Sequence, residues 1–252
     1  MKGETAVPRF FLDFGGGDTA IITGQDAIHI RRSLRLRAGD NITLCDGRGS
    51  DYFCEITGFD EENVVVKVLY RTPSVSEPSV LVTLYQGLPK GDKLEYIIQK
   101  SVELGVSAVV PVETARSVSR ISVSAEKNAK KHQRLQKIAD EAAGQSGRGI
   151  LPKVEAQISF KQAVERLKEK EENELVIVFY EGGGERLSEL VGKGTERLSI
   201  FIGPEGGFEP QEIEQLCAAG ARRATLGPRI LRCETAPIAA LSVIMALTGN
   251  MD

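Results

Sequence analysis

The chain has 252 residues, 41% of them hydrophobic and 27% charged, with a formal net charge of −3. That composition is ordinary for a globular protein and leaves room for one large domain or two smaller ones. The mild acidity does not announce a nucleic-acid binder, although a net figure can hide local segregation of charge. The N-terminal MKGETAVPRFF has no apolar signal core,. The first seventy or so residues read as β-rich, with short β-prone runs at Phe10–Phe14, Thr19–Thr23, Asn41–Cys45, Tyr52–Thr57 and Asn63–Tyr70,. Gly, Asp and Asn separate them, and one short helix is expected around Gln25–Leu36,. Several short strands with turns between them suggest a small barrel over residues 1–72.

Arg71–Pro78 (RTPSVSEP) is the best linker candidate, and 73–79 is taken as the linker between two domains,. Beyond it, from 80 to 252, strands and helices alternate. Val80–Tyr85, Ala108–Val112, Leu175–Tyr180, Ser199–Ile202 and Arg223–Leu226 read as strands,. Leu94–Leu104, Lys127–Ala143, Phe160–Glu169, Pro210–Ala219 and Pro237–Leu247 read as helices,. That alternation predicts an α/β domain with a mostly parallel sheet covered on both faces. The last helix has almost no polar face, so it must be covered on all sides,. Either the body of the monomer or a partner subunit can do that. Ala236–Leu247, the longest apolar run, is shorter than the roughly 20 residues that cross a bilayer,. A soluble cytoplasmic protein is expected.

Four cysteines, Cys45, Cys54, Cys217 and Cys233, show no C-x-x-C spacing, and His29 and His132 are the only histidines. A zinc site is not expected. Cys45 and Cys54 face each other across a hairpin or are two reduced strand cysteines,.

Two glycine- and proline-punctuated segments carry most of the information: Leu198–Phe208 (LSIFIGPEGGF) and Leu226–Ala236 (LGPRILRCETA). Each runs from a β-prone stretch through a sharp turn into a helix, exposing backbone amides at a sheet edge. The first is neither a P-loop nor a dinucleotide fingerprint, since Gly-Lys-Ser/Thr and G-x-G-x-x-G are both absent,. Glu205 inside the turn would repel a polyphosphate. A zwitterionic or cationic ligand that needs backbone hydrogen bonds fits, and S-adenosylmethionine is one. Basic residues gather at Arg31, Arg32, Arg35 and Arg37, at Lys90, Lys93 and Lys100, and from Arg116 to Arg148. Lys127, Lys130, Lys131, Arg134 and Lys137 fall on the outer face of the long helix, where they are either simply solvated or face a phosphate backbone,.

HIRRSLRLRAGD with CDGRG, KGDKLEYIIQKSVELGV, EAAGQSGR, IGPEGGF and LGPRILRCETA occur in that order. On these motifs the chain resembles the RsmE-type 16S ribosomal RNA (uracil-N3)-methyltransferases of the SPOUT superfamily, from about residue 9 to about 248. The resemblance implies an N-terminal PUA-like β-barrel that binds RNA. It also implies a C-terminal SPOUT α/β methyltransferase domain with a deep trefoil knot, and a homodimer built on the knot and the last helix. The implied cofactor is S-adenosyl-L-methionine and the implied partner is 16S rRNA or the small ribosomal subunit. A methyltransferase for another RNA, or a noncatalytic RNA-binding module, would keep the same fold. Carried over by position, Phe179, Ile202, Gly203, Gly206, Leu226, Gly227, Ile230 and Leu231 line the cofactor pocket. Arg232 and Arg229 hold an anionic base. Glu234 accepts the proton or caps the last helix, and Thr235 is taken as that helix's N-cap. Arg31, Arg32, Arg35, Lys90, Lys93, Lys130, Lys131, Arg134 and Arg148 are expected on RNA. No metal is expected. Cys233 stands where the family often has Thr or Ala, and Ser33 where it tends to have Val.

Overall fold

The computed structural model describes residues 7–60 and 62–251. It divides into two compact units, Met1–Glu77 with Ala143–Leu151, and Pro78–Ala142 with Pro152–Asp252.

The first unit is built on β1 (Arg9–Phe11), β2 (Thr19–Ile22), α1 (Gly24–Ile28), β3 (Asn41–Cys45), β4 (Ser50–Asp60) and β5 (Asn63–Pro73). Its five-stranded sheet has the order β1-β3-β4-β5-β2. Only the β1–β3 pair is parallel. Burial alternates along the strands, so Ile42, Leu44, Cys54, Ile56, Val64 and Val66 face one core with Ala27 and Ile30,. Register shifts at Phe53/Cys54 and Ile56/Gly58 bend the two long strands,. β5 runs on to Pro73, into the stretch that composition marks as linker. The helix expected over Gln25–Leu36 is α1 followed by a π-helical turn, His29–Ser33, and it ends where Arg35 takes φ 55°. Cys54 pairs in register with Ile42 and Cys45 with Asp51, so the hairpin does not juxtapose the two thiols; all four cysteines are free.

The loop that follows the long helix belongs to this unit. Arg148 Nη2 donates to Glu77 Oε2 at 2.6 Å, and the amides of Gly149 and Ile150 donate to Glu77 Oε1 at 2.7 and 3.0 Å. Arg9 grips Asp51 with two 2.6 Å bonds and reaches the Arg148 carbonyl at 3.1 Å. Burial pushes the Glu77 carboxyl up, but the Arg148 guanidinium and the two amides outweigh it and hold it below the usual range,.

The second unit holds β6 (Leu81–Gly87), α2 (Lys93–Glu103), β7 (Ala108–Glu113), α3 (Ala125–Gln145), β8 (Lys153–Val154), β9 (Ile158–Ser159) and α4 (Phe160–Leu167). It continues with β10 (Glu174–Phe179), β11 (Glu185–Arg186), α5 (Leu187–Leu190), β12 (Arg197–Ile202), α6 (Pro210–Ala218), β13 (Arg222–Thr225) and α7 (Thr235–Leu247). The last turn of α3 lies within the first unit's residues. The eight-stranded sheet runs β11-β13-β10-β12-β6-β7-β8, with β9 also on β7. Every pair in it is parallel. Its central strands are mostly apolar, as burial on both faces requires, with Ser199 and Gln86 the buried polar exceptions, and Tyr85 stacks on Phe201 with centroids 4.3 Å apart,. α7 buries Pro237, Ala240, Leu241, Ile244 and Met245 but leaves Val243 and Ala246 exposed. This chain alone covers one side of an apolar helix. Among the described residues no helix is long and apolar enough to cross a membrane, and no cluster of potential metal ligands occurs.

Candidate functional site

Parallel strands put all their carboxyl ends on one side of a sheet, so the loops that follow them converge there. β6, β10, β12 and β13 end at Gly87, Phe179, Ile202 and Thr225. The loops after β10, β12 and β13, with Lys93 at the start of α2, enclose a cavity of about 690 Å³. That is within the roughly 300–1,000 Å³ typical of small-molecule sites. Phe179, Ile202, Phe208, Leu231 and Ala236 give it apolar walls, while Lys93, Glu181, Glu205, Arg229 and Arg232 bring charge to it.

The turn after β12 is tightly fixed. Gly207 N donates to Pro204 O at 2.9 Å, and the buried Gln86 sends its Nε2 to the Gly203 carbonyl at 3.3 Å. A Cβ on Gly203 would sit 2.9 Å from the Gly207 carbonyl carbon, so the chain can double back only with glycine there,. Of the eight residues expected at the cofactor, seven line this cavity: Phe179, Ile202, Gly203, Leu226, Gly227, Ile230 and Leu231. Gly206 does not; Gly207 faces the cavity in its place. Gly206 instead turns outward under Arg116, whose Nη1 donates to its carbonyl at 2.9 Å and whose Cβ would be 3.1 Å from any side chain there.

Arg229 and Arg232 both line the cavity. Glu234 occupies the N-cap position of α7 but makes no side-chain cap bond, and Thr235 is the first helical residue, not the cap. The Glu234 carboxylate turns elsewhere. Lys93 Nζ lies 3.1 Å from Glu234 Oε2 and 3.1 Å from Glu205 Oε1, so one ammonium ties the two turns together. Cys233 Sγ donates to Glu234 at 3.2 Å. The thiol bond first, and then the ammonium, hold Glu234 below the usual carboxylate range. Glu205 is partly buried, which pushes it up, but backbone amides and Lys93 bring it down. Hydrogen bonds to Glu205 and then Glu234 raise Lys93. Burial, and then the neighbouring carboxylates, push the Cys233 thiol up to about 12, so it stays protonated and acts as a donor.

The residues expected on RNA separate into groups. Arg31, Arg32, Arg35, Lys90, Lys130, Lys131 and Arg134 are exposed. Arg31 also lies over the Phe59 ring at 5.6 Å. Lys93 lines the cavity, and Arg148 is 4% exposed and committed to Glu77. Acids accompany the basic helix more than its composition suggested: Lys130 pairs with Glu126 at 2.7 Å and Arg134 with Glu95 at 2.9 Å. Sequence reasoning missed the role of Lys93 because α2 precedes both turns by more than a hundred residues, and only the fold joins them.

The cavity suits S-adenosylmethionine on its own chemistry. It offers main-chain groups from two turns and an apolar wall, and its carboxylates at Glu181 and Glu205 disfavour phosphates while tolerating a sulfonium,.

Comparison with known proteins agrees. Residues 76–245 match the family model of an RNA methyltransferase domain and residues 22–69 that of an RNA methyltransferase PUA domain. The chain is 39% identical over 234 residues to ribosomal RNA small subunit methyltransferase E of Bacillus subtilis, covering 90% of this chain and 89% of that one. It is 31% identical to the protein of the same name from Mycobacterium bovis, over 94% and 89% of the two chains. The crystal structure of a ribosomal RNA small subunit methyltransferase E from Neisseria gonorrhoeae, bound to S-adenosyl methionine, is similar with a TM-score of 0.83. It shares 31% identity over 96% of this chain and 98% of that one.

Proposed function

This chain belongs to the RNA methyltransferase domain family, beside the ribosomal RNA small subunit methyltransferases E, and from that premise we propose that it methylates N3 of a uridine in 16S rRNA. The observation that carries the reading is the cavity framed by the turns at Gly203–Gly207 and Leu226–Arg232, with two arginines beside it. Bound there, S-adenosylmethionine supplies a sulfonium methyl open to in-line displacement. The protein has to orient the uracil, take up the N3 proton and stabilise negative charge spreading to O2 and O4. Arg232, with Arg229, holds that anion. Glu234 accepts the proton, directly or through water, and Lys93 and Cys233 keep it ionised and aimed. A carboxylate held below its usual range is a feeble base, so stabilisation of the anion by the arginines is the larger contribution,.

In this reading the chain around the two turns forms the trefoil knot of the SPOUT fold. The uncovered side of α7, with Val243 and Ala246, packs on a second copy of the chain in a homodimer. Arg31, Arg32 and Arg35 on the first unit, and Lys90, Lys130, Lys131 and Arg134 on the second, face rRNA phosphates, and the protein works in the cytoplasm. Two measurements test the reading. Calorimetry with S-adenosylmethionine comes first; no binding leaves a noncatalytic RNA-binding module. Methyl incorporation into naked 16S rRNA, small subunits and tRNA, with the modified atom mapped, comes second. Modification confined to tRNA, or to an atom other than uridine N3, overturns the substrate. For Glu234→Gln a changed pH–rate profile is expected; an unchanged rate and profile removes it as proton acceptor.

A further inference from the structure

The segment Thr114–Ile121 (TARSVSRI) leaves the carboxyl end of β7, on the side of the sheet where the cavity opens. It is braced from within. Thr114 N donates to Ser117 Oγ at 3.1 Å and the two buried hydroxyls lie 3.0 Å apart. Ala115 N donates to the buried Glu212 at 2.9 Å, and Ile121 N to Glu113 at 2.8 Å. Ser119 Oγ donates to the Pro89 carbonyl at 2.7 Å. A loop fixed at both ends and in the middle nevertheless projects Arg116, Val118 and Arg120 outward, with Val118 62% exposed. A rigid backbone that keeps two guanidiniums at the surface on either side of an exposed valine suits an anionic partner that also offers an apolar face. Arg116 also lies across the outer side of Gly206, so this edge is continuous with the turn that bounds the cavity.

We propose that this loop is an RNA-contact site, in which Arg116 and Arg120 meet phosphates flanking the target nucleotide and Val118 packs against a neighbouring base or ribose. It rests on the methyltransferase reading above. A base drawn out of its stack leaves an apolar gap beside it, and small apolar wedges flanked by basic residues fill such gaps. Charge favours RNA over protein: both projecting guanidiniums stay exposed, although Arg120 Nη1 also lies 3.1 Å from Glu113 Oε1 and Arg116 Nη1 donates to the Gly206 carbonyl.

Val118→Ser and Arg120→Gln are the test, because neither side chain lines the cavity and glutamine can still donate to Glu113, which pairs with Arg120 at 3.1 Å. Wild type and variants are compared for S-adenosylmethionine affinity, thermal midpoint, and binding and methylation of naked 16S rRNA and small subunits across a salt series. The expected result is unchanged cofactor affinity and melting, with RNA affinity and kcat/KM reduced about five- to tenfold. The salt slope of Arg120→Gln should also fall by about one counterion. Unchanged methylation by both variants overturns the proposal. So does lost cofactor affinity, which makes the loop a mere support for the turn. A defect seen on assembled subunits but not on naked rRNA also overturns it, since the loop then meets protein. If wild type neither binds S-adenosylmethionine nor transfers methyl to any RNA, it is the methyltransferase reading that has failed.

Discussion

The two turns that frame the cavity differ in how they are held. Gly203–Gly207 is fixed by its own Gly207–Pro204 bond, by Gln86 beneath it, by Lys90 N and Lys93 on Glu205, and by Arg116 on Gly206. In Leu226–Arg232 the chain is exposed from Gly227 to Ile230, and Ile230 is 84% exposed. Its own ties are Thr225 Oγ1 with Gly227, and the amides of Thr235 and Ala236 on the Arg232 carbonyl, with Lys93 reaching only Glu234 just beyond it. One side of the pocket is preformed, and the other presents an isoleucine and two arginines to solvent. Binding energy spent on ordering the second turn is then not available as net affinity, and a ligand that touches both must shift the second more.

The sharpest way to break this comparison is Gly203→Ala. A Cβ pressed against the Gly207 backbone should abolish measurable S-adenosylmethionine binding and destabilise the protein by about 1–3 kcal/mol,. Gly227→Ala meets nothing within 4 Å, and pays only for its φ of 98°. If both variants bind alike in calorimetry, the asymmetry is wrong. Next in size is Arg232→Ala, on the exposed turn. Methylation should drop about 10²–10³-fold while cofactor affinity stays within a few-fold, because the guanidinium acts on the developing anion. Equal losses of turnover and affinity would assign it to the cofactor instead.

Lys93→Met severs the tie between the turns. Cofactor affinity should fall about tenfold, and the acid limb of the pH–rate profile should move upward as Glu205 and Glu234 return toward ordinary values. The sign follows from linkage. Two carboxylates held low contribute stability above their unfolded values, lost as pH falls through the folded ones. The raised lysine contributes below its unfolded value, and that is lost as pH rises through the folded one,. The wild-type brace is therefore intact across the neutral range and weakens at both extremes, and the variant's melting temperature should lose that dependence. The smallest effect is in hydrogen exchange. Saturating S-adenosylmethionine should protect amides in 227–232 more than those in 203–207; equal protection would mean that both turns are preformed.

The turns themselves were legible because glycine and proline punctuate a strand-to-helix change of period, and the parallel sheet because mostly apolar strands alternate with helices. What escaped the sequence was anything set by burial or long-range meeting. Arg148 looks like one more cation of a basic stretch, yet it is a buried counter-charge for Glu77. Lys93 looks like a surface lysine until the fold brings Glu205 and Glu234 to either side of it. Gly206 reads as a pocket glycine, though its missing side chain makes room for Arg116 on the opposite side. Local pattern identifies turns and periods, and it carries no record of which distant charge ends up opposite which.

The clasp of Arg148 and the following amides on Glu77 sets a schedule for biosynthesis. The N-terminal unit is discontinuous in sequence, so a nascent chain released up to residue 77 still lacks the guanidinium and the amides that satisfy that carboxylate. Vectorial folding must leave this unit unfinished until residues 143–151 have emerged from the exit tunnel, after β6, α2, β7 and most of α3,. An excised 1–77 fragment should accordingly be a poor stand-in for the unit, and a circular permutant opened within 78–142 would deliver both halves of the clasp on a different timetable.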